Sequence, residues 1–192
     1  MRFHPICGPA IALVAVLSSS PPLVLPAYAA EAPVAAEKNP PGDISDSQVF
    51  ITFASPLGFT IQVPEGWARK DRADGASFAD KYGLVDVSVL ASATALTAAS
   101  VKTTEAAALE HSGHAVKIDV IKSVKLPAGP SVLIKYHSNS EANAVTSKKI
   151  RLEHDRYLIA DGSRLATIDF SAPAGADNVD QWKLMSDSFG WK

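Results

Sequence analysis

Cysteine is almost absent from this chain. The single thiol, Cys7, lies ahead of an apolar run in a segment with the marks of a secretory leader, so the exported chain would carry none. Disulfides, thiol catalysis and cysteine-ligated zinc are thereby excluded. Long apolar runs are missing too: Ile11 to Leu17 falls far short of the roughly 20 residues that span a bilayer, and Pro21, Pro22 and Pro26 break any helix extended from it. Charge of one sign is not in excess. Loss of Arg2 with the leader leaves 17 basic residues against 20 acidic ones, which gives no electrostatic footprint for nucleic acid or an anionic membrane. No cofactor motif and no G-x-S-x-G elbow occurs, so no cofactor is expected and no nucleophile is marked.

What is present divides the chain into three. Arg2 and His4, the apolar run and the small residues of Ala27-Tyr28-Ala29 form a signal peptide over 1–29, which implies an extracytoplasmic protein, periplasmic or secreted. Residues 30–48, with proline, alanine and scattered charge but no apolar period, have a linker's composition and are expected to be mobile. Residues 49–192 are one domain of ordinary size, able to bury a core without staples, and contain no internal repeat.

Within that domain the apolar period is mostly two. Val116, Ile118, Val120, Val124 and Leu126 share one parity, with Ile121 and Lys122 as exceptions, and Pro127-Ala128-Gly129-Pro130 turns the chain into the alternation of Val132, Ile134 and Tyr136. Ile150 and Leu152 form a further strand, His154-Asp155 is read as a turn, and Tyr157 and Ile159 begin the return to Asp161-Gly162. Ala166, Ile168 and Phe170 continue the meander, and Val85, Val87 and Val89 precede it. Helical composition spans Thr103 to Glu110, with Val101, Ala108 and Leu109 inward and Gly113 ending it. A second helix carries Trp182, Met185 and Phe189 on one stripe, capped by Asp177 or Asn178. The class is α+β: a mainly antiparallel sheet of about six strands flanked by helices.

The stretch FTIQVPEGW explains itself on this plan. Pro64 halts the strand Phe59–Val63, Gly66 permits a turn, and Trp67 returns over the sheet's end as an anchor. An apolar strand, P-E-G-W, a charged hairpin, a meander, then S-A-P-A-G-A-D-N into a Trp-bearing helix ending S-F-G-W: this order resembles the PsbP-like superfamily, over roughly Phe50 to Trp191. The resemblance implies an α-β-α sandwich and a protein that works by binding other proteins. Relatives include extrinsic subunits of the photosynthetic oxygen-evolving complex, a nuclear protein that binds the GTPase Ran, and secreted bacterial proteins. The secretory leader, in place of a transit peptide, argues against the photosystem role, and export argues against Ran.

Residues able to carry chemistry are few. His111 and His114 have metal-binding spacing, but Gly113 breaks the helix that would align them, and a solvated helix end suits both. Asp71, Asp74 and Asp80 depart from the calcium-loop spacing and fit a charged hairpin turning at Asp74-Gly75. Glu153-His154-Asp155 reads as a turn of mixed charge, since neighbours on a strand face opposite ways. The leading expectation is a non-catalytic binding module, not an enzyme, with a protein partner unidentified. Arg69, Lys70, Asp71, Arg72, Asp74 and Trp191 are the candidate contacts. A metal-handling protein and a hydrolase whose site assembles only in three dimensions are the alternatives, the latter favoured by a deep pocket that holds a histidine against a serine or carboxylate.

Overall fold

The computed structural model describes residues 30–92 and 95–192; the signal-peptide reading of 1–29 lies outside them. Among these described residues ten strands form two antiparallel sheets. The smaller joins β1 (Phe50–Ser55), β2 (Phe59–Pro64) and the short β10 (Gly190–Trp191) in the order β1-β2-β10. The larger contains β3 (Ala68–Arg72), β4 (Gly75–Ala79), β5 (Leu84–Ala91), β6 (Lys117–Leu126), β7 (Gly129–Asn139), β8 (Arg151–Asp161) and β9 (Arg164–Pro173), in the order β3-β4-β5-β9-β8-β7-β6. The expected antiparallel α+β plan is present, with more strands than the sequence suggested.

Side-chain alternation distributes the larger sheet between two cores. One face turns Val85, Val87, Leu133, Ile159, Ile168 and Phe170 toward the smaller sheet and the terminal helix α3 (Val179–Ser188), where they meet Phe59, Ile61, Met185 and Phe189. The other face turns Val132, Ile134, Tyr136 and Leu158 toward Val101 on the helical segment. Gly75 is obligatory where β4 crosses close to β5, because a β-carbon there would lie 1.8 Å from the Val87 carbonyl oxygen.

Four sequence expectations change. The strand interrupted at His154-Asp155 is continuous: β8 pairs with β7 on one side and β9 on the other through those residues. Strand β6 does not keep one parity. A bulge between Ile118 and Val120 shifts it, so Ile118 and Ile121 face the helical segment while Val124 packs on the main core, which accounts for the exceptional Ile121. The first helix begins earlier, at α1 (Ala98–Val101) under a Thr97–Ser100 capping box, and passes through a π-turn (Lys102–Ala106) into α2 (Ala107–His111). The wider turn moves burial from Val101 to Ala106 and leaves Ala108 exposed. Phe189 ends the apolar stripe from the C-cap, with extended backbone, rather than from within α3.

Residues 30–48 form no helix or strand, but they lie along the domain and are tied to it. The Asn178 side chain, buried at the start of α3, makes no cap hydrogen bond; its Oδ1 instead accepts from Ile44 N–H at 2.7 Å and its Nδ2 donates to Gly42 O at 3.0 Å. Further up the strap, Asn139 accepts from Val34 N–H and donates to Glu31 and to Ala32 O.

Candidate functional site

The register of β7, β8 and β9 gathers a polar cluster on the helix-facing side of the sheet. Tyr136 lies opposite His154, and Arg156 lies opposite Asp169. Ser138 and His154 are diagonal neighbours across one strand pair, and His154 and Asp169 across the next, so three residues far apart in sequence share one face. His154 Nε2 is 2.9 Å from Ser138 Oγ, and His154 Nδ1 is 3.2 Å from Asp169 Oδ1. Asp169 Oδ2 accepts from Tyr136 Oη at 2.6 Å and from Arg156 Nε and Nη2 at 2.7 and 2.5 Å. The imidazole stacks on the Tyr136 ring, with centroids 4.2 Å apart and planes within 10°.

The electrostatics of this cluster follow from burial and pairing. Burial alone would raise the Asp169 pKa, but the bond from His154, the charge of Arg156 and the bond from Tyr136 hold it below the usual carboxylate range. Burial, reinforced by the Asp169 charge, pushes the Tyr136 phenol well up. For Arg156, burial works against the cation, yet Asp169 and Tyr136 outweigh it. Asp169 is therefore an anion with acceptor capacity only, so His154 Nδ1–H donates to it, and in the neutral imidazole the Nε2 lone pair faces the Ser138 hydroxyl. An open cleft of about 210 Å³ beside Ser138 is lined by Leu109, His114, Val116, Tyr136 and Leu152.

The opposite face of the same strands carries Glu153 and Asp155. A cleft of about 220 Å³ beside the start of α3 collects Asp119, Lys135, His137, Glu153, Asp155 and Trp182. Lys135 pairs with Asp155 at 2.9 Å, and His137 Nδ1 lies 2.5 Å from Oδ2 of the bulge residue Asp119. Burial raises the pKa of Glu153, against a hydrogen bond from the Gly175 backbone.

A third feature lies at the open end of the sandwich. Among the described residues, edge strand β1 of the small sheet and edge strand β3 of the large one each pair on one side only. Beside them lie two adjoining clefts of about 450 and 420 Å³, which share Phe53, Ala54 and Arg69. Phe78 and Trp67 line one of them, and the Arg69 guanidinium lies 5.3 Å from the Phe53 ring centroid.

The residues singled out in the sequence fall as follows. Arg69, Lys70 and Asp71 are exposed on β3, and Arg69 pairs with Asp71. Arg72 is partly buried and reaches Asp86 at 2.6 Å and Asp74 at 3.2 Å, so it holds the hairpin to β5. The turn falls at Ala73-Asp74, with Gly75 already in β4. Asp80 accepts from Tyr82 and Gly83 N–H, closing the next turn. His111 bonds to its own helix at Ala107 O, whereas His114 lies 3.3 Å from Glu141 and 4.0 Å from Glu31, so the two are turned to different partners. Among the described residues no group of three or more His, Cys, Asp and Glu side chains is placed to hold a metal ion. Trp191 is half-buried, edge-on to Phe189 and covered by Arg164, 4.4 Å from its ring. Ser138, Arg156 and Asp169 are not singled out by the sequence, and Tyr136 is read there only as a strand residue. Ser138 lies one period-2 step past Tyr136, and Asp169 lies on the polar parity between Ile168 and Phe170, whereas no apolar parity carries the strand through His154-Asp155.

No protein-family model matches the chain, and no curated protein does. Solved structures do. The cyanobacterial PsbP of Synechocystis sp. PCC 6803 is similar with a TM-score of 0.54 at 15% identity, over 79% of this chain and 98% of that one. A Pseudomonas aeruginosa protein of unknown function gives a TM-score of 0.49 at 12% identity, over 72% of this chain and 94% of that one. The chain has the PsbP-like fold. At such identity the likeness concerns architecture, and function has to be argued from the sites.

Proposed function

We propose that the protein is an extracytoplasmic binding module, exported by the signal peptide over 1–29, that acts by contact with another protein and needs neither cofactor nor turnover. The contact surface is the open end of the sandwich. The observation that carries this reading is the pair of adjoining clefts between edge strands β1 and β3, with Phe53, Phe78 and Trp67 against them and Arg69 and Lys70 on the rim. An unpaired strand edge offers N–H and C=O groups to an extended segment, and an apolar floor accepts alternate side chains of that segment. The partner is thus an extended stretch with apolar residues on one side and carboxylates near Arg69 and Lys70. Crosslinking in the native cell followed by mass spectrometry tests this. Crosslinks from residues 50–55 and 68–72 to one protein are the expected result; crosslinks confined to other surfaces overturn it.

A second reading, as a hydrolase, is favoured by one observation: the hydrogen-bonded series Ser138, His154, Asp169, of which Ser138 lines an open cleft. It supplies a histidine held between a serine and a carboxylate, beside an open cleft rather than the deep pocket expected for a hydrolase.

A further inference from the structure

We propose that Ser138 is a nucleophile for acyl transfer from small activated esters, with His154 as its general base and Asp169 as the group that orients the imidazole. The inference rests on the hydrolase reading and deepens it by naming the nucleophile and the substrate class. An activated serine needs a base within hydrogen-bond reach and a third group that fixes the base. Ser138 Oγ meets the first condition at 2.9 Å from His154 Nε2, and Asp169 Oδ1 meets the second at 3.2 Å from Nδ1. Asp169 cannot turn away, because its other oxygen is held by Tyr136 and by two nitrogens of Arg156, and the imidazole cannot tilt freely because it lies on the Tyr136 ring. The arrangement is therefore preorganised by side chains on neighbouring strands.

The surroundings decide what such a serine accepts. Ser138 is only 8% exposed and its cleft is about 210 Å³, below the roughly 300 to 1,000 Å³ of sites for drug-sized ligands, so the acyl group is short. Backbone donors next to Ser138 are already engaged: Asn139 N–H donates to His114 O at 2.6 Å and Ser140 N–H to Ile150 O at 2.8 Å. Without such donors a tetrahedral oxyanion forgoes a stabilisation that elsewhere changes rates by about 10²- to 10³-fold per donor. Esters with good leaving groups react under that handicap, and amides do not. In the step itself Ser138 Oγ attacks the ester carbonyl as its proton passes to His154 Nε2. The C–O bond to the leaving group then breaks, and the imidazolium returns the proton to the departing oxygen, giving acyl-Ser138 and free alcohol. Water, deprotonated by the same Nε2, releases the acid and restores Ser138.

The test uses the full chain with p-nitrophenyl acetate, following nitrophenolate release and mapping the acetyl group by peptide mass spectrometry. The expected result is acetyl on Ser138 in the wild-type protein, with release slowed at least about 100-fold in Ser138→Ala and comparably in His154→Gln. Ser138→Ala removes one hydroxyl, and its melting curve verifies that it folds; mapping of the wild-type adduct requires no variant at all. Release that survives Ser138→Ala, or an adduct mapped to another residue, overturns the assignment while leaving a hydrolase. Neither release nor adduct overturns both.

Discussion

Trp67 lies so close over Gly83 that a β-carbon on Gly83 would sit 2.6 Å from the indole ring. The turn at Pro64–Gly66 brings Trp67 back to the end of the large sheet, and the Asp80-closed turn presents Gly83 beneath it. Trp67 is half-buried against the main core, so the cost of removing it is below that of a fully enclosed aromatic. Trp67→Ala is expected to cost about 2 kcal/mol and Gly83→Ala about 1 to 3 kcal/mol. The double variant should lose less than the sum, because the methyl clashes only with an indole that is present. Thermal melts of the three variants check this, and full additivity would show that the two residues do not meet.

Asn178 holds the strap of residues 30–48 to the start of α3, since its side chain serves both Ile44 N–H and Gly42 O while itself buried. Asn178→Ala leaves the Ile44 amide unpartnered at a cost of about 1 to 3 kcal/mol. It should also speed proteolytic cutting within 36–42, a stretch bonded through Gly42 rather than through a sheet ladder. Limited proteolysis read by mass spectrometry gives the answer. An unchanged cutting pattern would mean that the strap is held by other contacts.

The central cluster sets a pH window for stability. Asp169 has a depressed folded pKa, so its contribution is present above the unfolded value near 4 and is lost as pH falls through the lower folded value. Tyr136 has a raised folded pKa, so its contribution is present below the unfolded value near 10 and is lost as pH rises beyond it. The melting temperature of wild type should therefore exceed that of Asp169→Asn by a margin that shrinks below about pH 4. Above about pH 10 it should fall more steeply than that of Tyr136→Phe. Parallel curves across either range would show that the group concerned is not coupled to folding.

Most of the sheet could be read from the sequence wherever one face of a strand is apolar. Val85 and Val87, and Ala166, Ile168 and Phe170, announce their strands by period alone, and the FTIQVPEGW stretch marked both the end of β2 and the place of Trp67. Strand β8 could not be read through its middle. Glu153 and Asp155 on one face, and His154 and Arg156 on the other, leave no apolar parity, and the segment is held as a strand by partners on both sides. Strand β3 has no large apolar residue to report it. The bulge in β6 and the π-turn after α1 each insert one residue into a period, which shifts every later assignment. The Ser138–His154–Asp169 series needed more still: its members are 16 and 15 residues apart and meet only through the exact pairing of two hairpins, while the strap is held by Asn139 and Asn178, which carry no pattern.

The charged hairpin offers the most direct test of the binding reading, because its cations are not equivalent. Arg69 pairs with Asp71 at an exposed position, and Lys70 stands exposed beside it without an ion pair among the described residues. Exposed charges contribute only about 0 to 1 kcal/mol to folding, so Arg69→Glu/Lys70→Glu should melt within a few degrees of wild type. Arg72 differs. Its pKa is raised first by the hydrogen bond to Asp86, which ties β3 to β5 across β4, and Arg72→Glu would set three carboxylates together there. That variant should be visibly destabilised, so any loss of binding in it says nothing about the surface. The informative measurement is the yield of the partner crosslinked to the Arg69→Glu/Lys70→Glu protein in its native cell, at matched expression. A drop of at least about tenfold with an unchanged melt is expected if the rim meets carboxylates on the partner. Equal yield would remove the hairpin from the contact surface and leave the β1 edge, whose apolar Ile51 is exposed, as the part of the rim still to be probed.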